Sequence, residues 1–193
     1  MSTSPNKNQN NIREILSGHR MIPVVTFNST EEAIPLMEKI ISKGVKCIEV
    51  TLRTACAMEA IQILRNHYGN QILIGAGTVI NTEQISSLKK LNVDFLVSPG
   101  FSESLLEHLH ASGIAYLPGV ATPSEMIKAL EKNCDTLKFF PANLFGGINA
   151  LKTYAGLFPQ IKFCPTGGIS EANHLEFLNL PNVFAVGGSW LTS

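Results

Sequence analysis

The chain has 193 residues, of which 45% are apolar and 16% charged, with 15 lysines and arginines against 15 aspartates and glutamates. That size suits one domain with a sizeable core, and the composition excludes a disordered chain. A formal net charge of zero removes the electrostatic footprint of a nucleic-acid or anionic-membrane partner and favours self-association.

Residues 1–10 are polar, with no apolar stretch behind a basic start, and read as a disordered leader to a single domain over 11–193. Asn11 to Leu16 suggests a short helix ahead of the first strand. No apolar run approaches the roughly 18 residues of a spanning helix, so a cytoplasmic protein with no membrane partner is expected. The cysteines Cys47, Cys56, Cys134 and Cys164 contain no C-x-x-C pair and lie in apolar surroundings, which reads as reduced, buried thiols.

Short β-branched or aromatic runs recur at 21–27, 47–52, 72–79, 95–99, 115–120, 136–142, 162–166 and 183–188. Their starts are about 20 to 26 residues apart, the length of one strand plus a crossover helix. Ser29 with Glu32 reads as a capping box before the helical face of Ala33, Leu36, Met37, Ile40 and Ile41, and Gly44 as its C-terminal stop. Thr122-Pro123-Ser124-Glu125 repeats the box with proline at the first helical position. Ile85, Leu88 and Leu91 mark a further amphipathic face.

Regular strand–helix alternation leaves an open doubly wound sheet or a closed barrel. Without a G-x-G-x-x-G turn after the first strand, the pattern predicts an α/β fold of (β/α)₈ TIM-barrel type. The sequence reaches Ser193 just after the eighth strand, so the eighth barrel helix is expected to be missing. The wall left bare would be covered by the N-terminal helix or a neighbouring subunit.

Strands of such a barrel are apolar on both faces, so charges inside them need a reason. Alternation in 47–53 sends Ile48, Val50 and Leu52 towards the helices and Glu49, Thr51 and Arg53 inward. In 136–142 it sends Leu137 and Phe139 outward and Lys138 and Phe140 inward. Glu49 and Lys138 so placed make either a structural ion pair or a catalytic one. A lysine amine attacks a carbonyl only as the free base, a form that burial favours, and the resulting Schiff base stabilises an adjacent carbanion. A neighbouring carboxylate would move the protons that each step requires.

Pro165-Thr166-Gly167-Gly168-Ile169-Ser170 and Gly187-Gly188-Ser189 end the seventh and eighth strands. Loops at those places commonly bind phosphate through bare backbone N–H groups, though tight turns alone would also use glycine. Arg53 and Thr78 sit at strand ends where they could hold a carboxylate, although Arg53 reads almost equally well as a surface arginine at a helix start. The five histidines lie away from the strand C-termini, so neither metal nor cofactor is expected.

Taken in order, Ile48-Glu49-Val50-Thr51-Leu52-Arg53-Thr54, Gly75-Ala76-Gly77-Thr78-Val79, Lys138-Phe139-Phe140-Pro141-Ala142, Cys164 to Ser170 and Gly187-Gly188-Ser189-Trp190-Leu191 resemble the 2-keto-3-deoxy-6-phosphogluconate (KDPG) aldolase family. The likeness runs from about residue 12 to the end. It implies a class I aldolase, also acting on 4-hydroxy-2-oxoglutarate, with Lys138 as Schiff-base lysine and Glu49 as general acid and base. It further implies a carboxylate site at Arg53 and Thr78, with Phe140 and Thr166 beside the substrate. Phosphate would sit at Gly167, Gly168, Gly187, Gly188 and Ser189. The assembly implied is a homotrimer, and the partner a phosphorylated keto-deoxy sugar acid. Asn143-Leu144-Phe145 departs from the more polar run of that family. An aldolase for the 6-phosphogalactonate epimer, a phosphosugar isomerase and a catalytically impaired phosphosugar-binding barrel are the other readings.

Overall fold

The computed structural model describes residues 7–192. Along it run the parallel strands β1 (Met21–Val25), β2 (Cys47–Thr51), β3 (Leu73–Gly77), β4 (Phe95–Val97), β5 (Ala115–Leu117), β6 (Gly119–Val120), β7 (Thr136–Phe139), β8 (Lys162–Pro165) and β9 (Val186–Gly188). The helices are α1 (Lys7–Ile15), α2 (Ala33–Ser42), α3 (Ala57–Tyr68), α4 (Thr82–Lys90), α5 (Glu103–Ala111), α6 (Pro123–Glu131), α7 (Gly147–Leu157) and α8 (His174–Leu178). The result is an α/β fold with a curled, parallel sheet. Six strands pair in the order β5-β4-β3-β2-β1-β9, and β6-β7-β8 form a second ladder. The expected run 115–120 is split because Pro118 has no N–H to donate, although its carbonyl still accepts from Lys138 N at 2.9 Å. Single parallel bridges, Phe163↔Val183 and Thr166↔Gly187, join the region of β8 to that of β9.

The strands divide the apolar residues into two layers. Ile48, Val50, Ile74, Leu137 and Phe139 pack outward on Met37, Ile40, Ile61, Leu88 and Met126 of the helices. Ile22, Cys47, Phe95, Val97, Leu117, Cys164 and Ala185 form an inner layer, joined by Ile12 and Leu16. The N-terminal helix therefore closes the N-terminal end of the sheet and does not cover a flank of it. Gln9 Nε2 donates to Thr136 O at 3.2 Å, its Oε1 accepts from Asp135 N at 2.6 Å, and Arg13 pairs with Asp135 at 3.1 Å. α1 also begins four residues earlier than its apolar spacing suggested, at Lys7, so residues 7–10 are helical and not part of a leader. The rest of the expected leader, 1–6, lies outside the described residues. Beyond β9 the chain makes a 3₁₀ turn, Trp190–Thr192, against β1 and α2.

The helix ends follow local chemistry, with one correction. Thr122 and Glu125 make the expected capping box on α6, and Asn81 with Gln84 makes another on α4 that the sequence reading did not name. Gly44 ends α2 at φ +80, its N–H bonded to Ile41 O at 2.8 Å. Ser29 and Glu32 do not form a box. Thr30–Glu32 is instead a 3₁₀ turn, and Glu32 Oε2 accepts from Asn28 N at 3.0 Å. Pro35 is the reason. Were the α-helix to start at Thr30, its interior would contain a residue without a donor, whereas a start at Ala33 puts Pro35 among the first N–H groups that have no intrahelical acceptor. Among the described residues no helix is long and apolar enough to cross a membrane.

Candidate active site

Glu49 and Lys138 belong to different ladders, β2 and β7, and meet across the inside of the curl. Lys138 Nζ donates to Glu49 Oε1 at 3.2 Å, and the two residues are 5% and 3% exposed. Alternation accounts for both directions, since Ile48, Val50, Leu137 and Phe139 occupy the outer layer. One glycine in β3 makes room for the carboxylate and another for an aromatic ring. A Cβ on Gly77 would collide with Glu49 Oε1, and one on Gly75 with the Phe95 ring. In the sequence Gly75-Ala76-Gly77 stands out only as part of the family likeness. Its alternation of bare and small positions was the available signal.

The surroundings of the amine are mixed. The Phe140 ring centroid lies 4.9 Å from Nζ, so the amine rests on the face of the ring, where a cation is attracted. Cys164 is the register partner of Lys138, and its thiol is pushed up to about 12, first by full burial and then by the charge of Glu49. Burial drives the Cys47 thiol up as well. Both are neutral neighbours of the pair near pH 7. Cys134 is buried and Cys56 half-buried, and all four thiols are free.

Above the pair opens a cleft of about 440 Å³ lined by Arg53, Phe140, Thr166, Gly167, Gly168, Gly188 and Ser189, together with Thr26, Leu36, Ile169 and others. Phe140 touches both cleft and amine and so joins the two. Arg53 is exposed and is the single charged side chain of the lining. The Thr166 hydroxyl is buried and has no hydrogen-bond partner among the described residues, an acceptor and donor held ready beside open space. Gly167 and Gly168 take φ of +96 and +73, which glycine adopts without strain. Their loop is braced by residues that sequence alone did not reveal: Asn173 Nδ2 donates to Gly168 O at 3.0 Å, and Asn143 N donates to Gly167 O at 3.2 Å.

Two expected site residues are placed differently from the rest. Gly187 is buried in β9, where a Cβ would stand 2.6 Å from Thr166 Oγ1, so it makes space for that threonine and does not line the cleft. Thr78 does not line the cleft either; it follows β3 at φ +60, a conformation rare for a β-branched residue. Among the described residues no group of three His, Cys, Asp or Glu side chains converges as a metal site would require.

A buried amine–carboxylate pair under a glycine-walled cleft, at the C-terminal ends of parallel strands, defines a site for carbonyl chemistry through lysine. Residues 12–193 match the family model of KDPG and KHG aldolase, and the chain belongs to that family. It is 40% identical over 177 residues to the KHG/KDPG aldolase of Escherichia coli K12, covering 92% of this chain and 83% of that protein. It is 41% identical over 180 residues to the 2-dehydro-3-deoxy-phosphogluconate aldolase of Treponema pallidum, covering 93% and 85%. Among solved structures, the KDPG aldolase of Legionella pneumophila, with pyruvate captured as a covalent carbinolamine, superposes with a TM-score of 0.88 at 42% identity, over 97% of this chain and 87% of that one. The Zymomonas mobilis ZM4 aldolase with 3-phosphoglycerate gives 0.90 at 37% identity, over 94% and 86%.

Proposed function

We propose that this chain is a lyase, a class I aldolase that cleaves 2-keto-3-deoxy-6-phosphogluconate to pyruvate and glyceraldehyde 3-phosphate, and 4-hydroxy-2-oxoglutarate to pyruvate and glyoxylate. The observation that carries the reading is the buried Lys138–Glu49 contact of 3.2 Å beneath the cleft. Lys138 attacks the C2 ketone as the free amine, and Glu49 supplies the proton that lets the carbinolamine lose water. Glu49 then accepts the proton of the C4 hydroxyl as the C3–C4 bond breaks, and the electron pair passes into the iminium to give an enamine. Protonation at C3 and hydrolysis release pyruvate and restore the amine.

The remaining roles are those the family likeness implies, and the cleft lining supports them for Arg53, Phe140, Thr166, Gly167, Gly168, Gly188 and Ser189. Arg53 and Thr78 hold the substrate carboxylate, and Phe140 and Thr166 flank the carbon chain. The N–H groups of Gly167, Gly168 and Gly188 with the Ser189 hydroxyl receive the phosphate. The two ladders belong to one closed eight-stranded (β/α)₈ barrel, with β5 and β6 as a single strand interrupted at Pro118; the bridges between the regions of β8 and β9 support this. A cytoplasmic homotrimer is the working assembly, supported by zero net charge and by exposed apolar residues such as Ile80, Ile127 and Leu144.

Borohydride reduction in the presence of pyruvate tests the central step. The expected result is a covalent adduct mapped by mass spectrometry to Lys138, absent from Lys138→Ala. A wild-type protein that traps nothing ends the aldolase reading.

A further inference from the structure

The inner face of β2 presents a second polar group that the reaction above leaves unused. Thr51 lies two residues beyond Glu49, is 1% exposed, and stands opposite Gly77 of β3. Because a Cβ on Gly77 would meet Glu49 Oε1, the carboxylate reaches up into the layer of Thr51. Glu49 Oε1 is taken by Lys138, while Oε2 makes no hydrogen bond among the described residues. Thr51 Oγ1 lies 2.7 Å from Oγ1 of Thr26, and Thr26 is exposed and lines the cleft. Thr51 thus shares the inner face of β2 with Glu49 and stands one hydroxyl contact from the cleft.

Two hydroxyls that share one hydrogen bond spend one proton on it and keep the other to donate. Neither Thr51 nor Thr26 has a further hydrogen-bonding partner among the described residues, so the spare proton is available to an oxygen lying between the pair and Glu49. Thr51 is buried while Thr26 reaches the cleft, so the hydroxyl contact joins the inner face of β2 to the substrate space. We propose that Thr51, held by Thr26, is a positioning residue for proton transfer by Glu49. It orients the oxygen, of substrate or of departing water, that exchanges a proton with the carboxylate. Thr51 ends each cycle with the proton it began with: the C4 hydroxyl gives its proton to Glu49, and Glu49 returns it to C3 of the enamine. This rests on the aldolase reading above.

The test compares Thr51→Val, Thr51→Ser and Thr26→Val with the wild type, using steady-state cleavage of KDPG and the pyruvate–borohydride trap at end point. Thr51→Val should lower kcat about tenfold or more while KM stays within about twofold, since general acid–base assistance is worth about 10² to 10⁴. It should also flatten the pH dependence of kcat, and Thr51→Ser should restore most of the rate. Thr26→Val should act in the same direction but less strongly. Trapping should still reach completion in all three, which shows an intact fold and a working Lys138. Wild-type turnover in Thr51→Val, or a loss that Thr51→Ser does not repair, overturns the proposal. If Thr51→Val fails to fold, Thr26→Val decides, and an unchanged kcat there overturns it too. Absence of the trapped adduct in the wild type defeats the aldolase reading itself, a result distinguishable from either.

Discussion

Replacing Gly77 with alanine adds one methyl group, and the structure says where it goes. The new Cβ falls against Glu49 Oε1 and stands 2.9 Å from both Cδ and Cγ of that residue. Carbon atoms in ordinary contact are about 3.5–4.0 Å apart, so the carboxylate must withdraw by roughly half an ångström or more. A hydrogen bond of 3.2 Å has little reserve against such a movement. Outright loss of a partner in a buried ion pair costs about 3–5 kcal/mol. The substitution adds volume and removes neither partner, so the expected cost is closer to that of overpacking, about 1–3 kcal/mol. Activity should suffer far more, with kcat reduced about 10²-fold or more as the acid–base group leaves its place. Pyruvate release followed through a coupled NADH assay gives kcat, and urea unfolding gives stability. Gly100→Ala is the control, because nothing lies within 4 Å of a Cβ there, and its stability should remain within about 0.5 kcal/mol. A Gly77→Ala protein with wild-type turnover and stability would refute the claim that this glycine sets the position of Glu49.

Thr166→Val replaces a buried hydroxyl that lacks a partner with a methyl of similar shape. The free protein should be stabilised by about 1 kcal/mol or left unchanged, while kcat/KM for KDPG falls about tenfold, as read by thermal unfolding and steady-state kinetics; equal kinetics would remove Thr166 from the substrate site. For Glu125, burial alone would raise the carboxyl pKa, but hydrogen bonds from the Ala121 and Thr122 N–H groups and the Thr122 hydroxyl, with Lys128 nearby, hold it below the ordinary 4.5. Its contribution is then present above that value and lost as pH falls through the lower folded value. Urea titrations between about pH 6 and pH 3 should show a steeper loss of stability in the wild type than in Glu125→Gln.

Much of this was written in local pattern. Alternation alone sent Glu49, Thr51 and Lys138 to the inner face, because the period of a strand is two and their neighbours Ile48, Val50, Leu137 and Phe139 needed the helices. The box at Thr122 and the stop at Gly44 were legible for the same reason, each being a contest settled within a few residues of chain. What lay beyond reach was anything decided by residues distant in sequence. Ser29 and Glu32 had the spacing of a cap, yet Pro35 delayed the helix. The N-terminal helix was anticipated, but its place at the end of the strands depends on Thr136 and Asp135, more than 120 positions away. The 3.2 Å between Lys138 and Glu49, the space left for it by Gly77, and the hydroxyl contact between Thr26 and Thr51 exist only once β1, β2, β3 and β7 have curled around a common interior. Periodicity determines which way a side chain points; only the closing of strands upon one another determines what it meets.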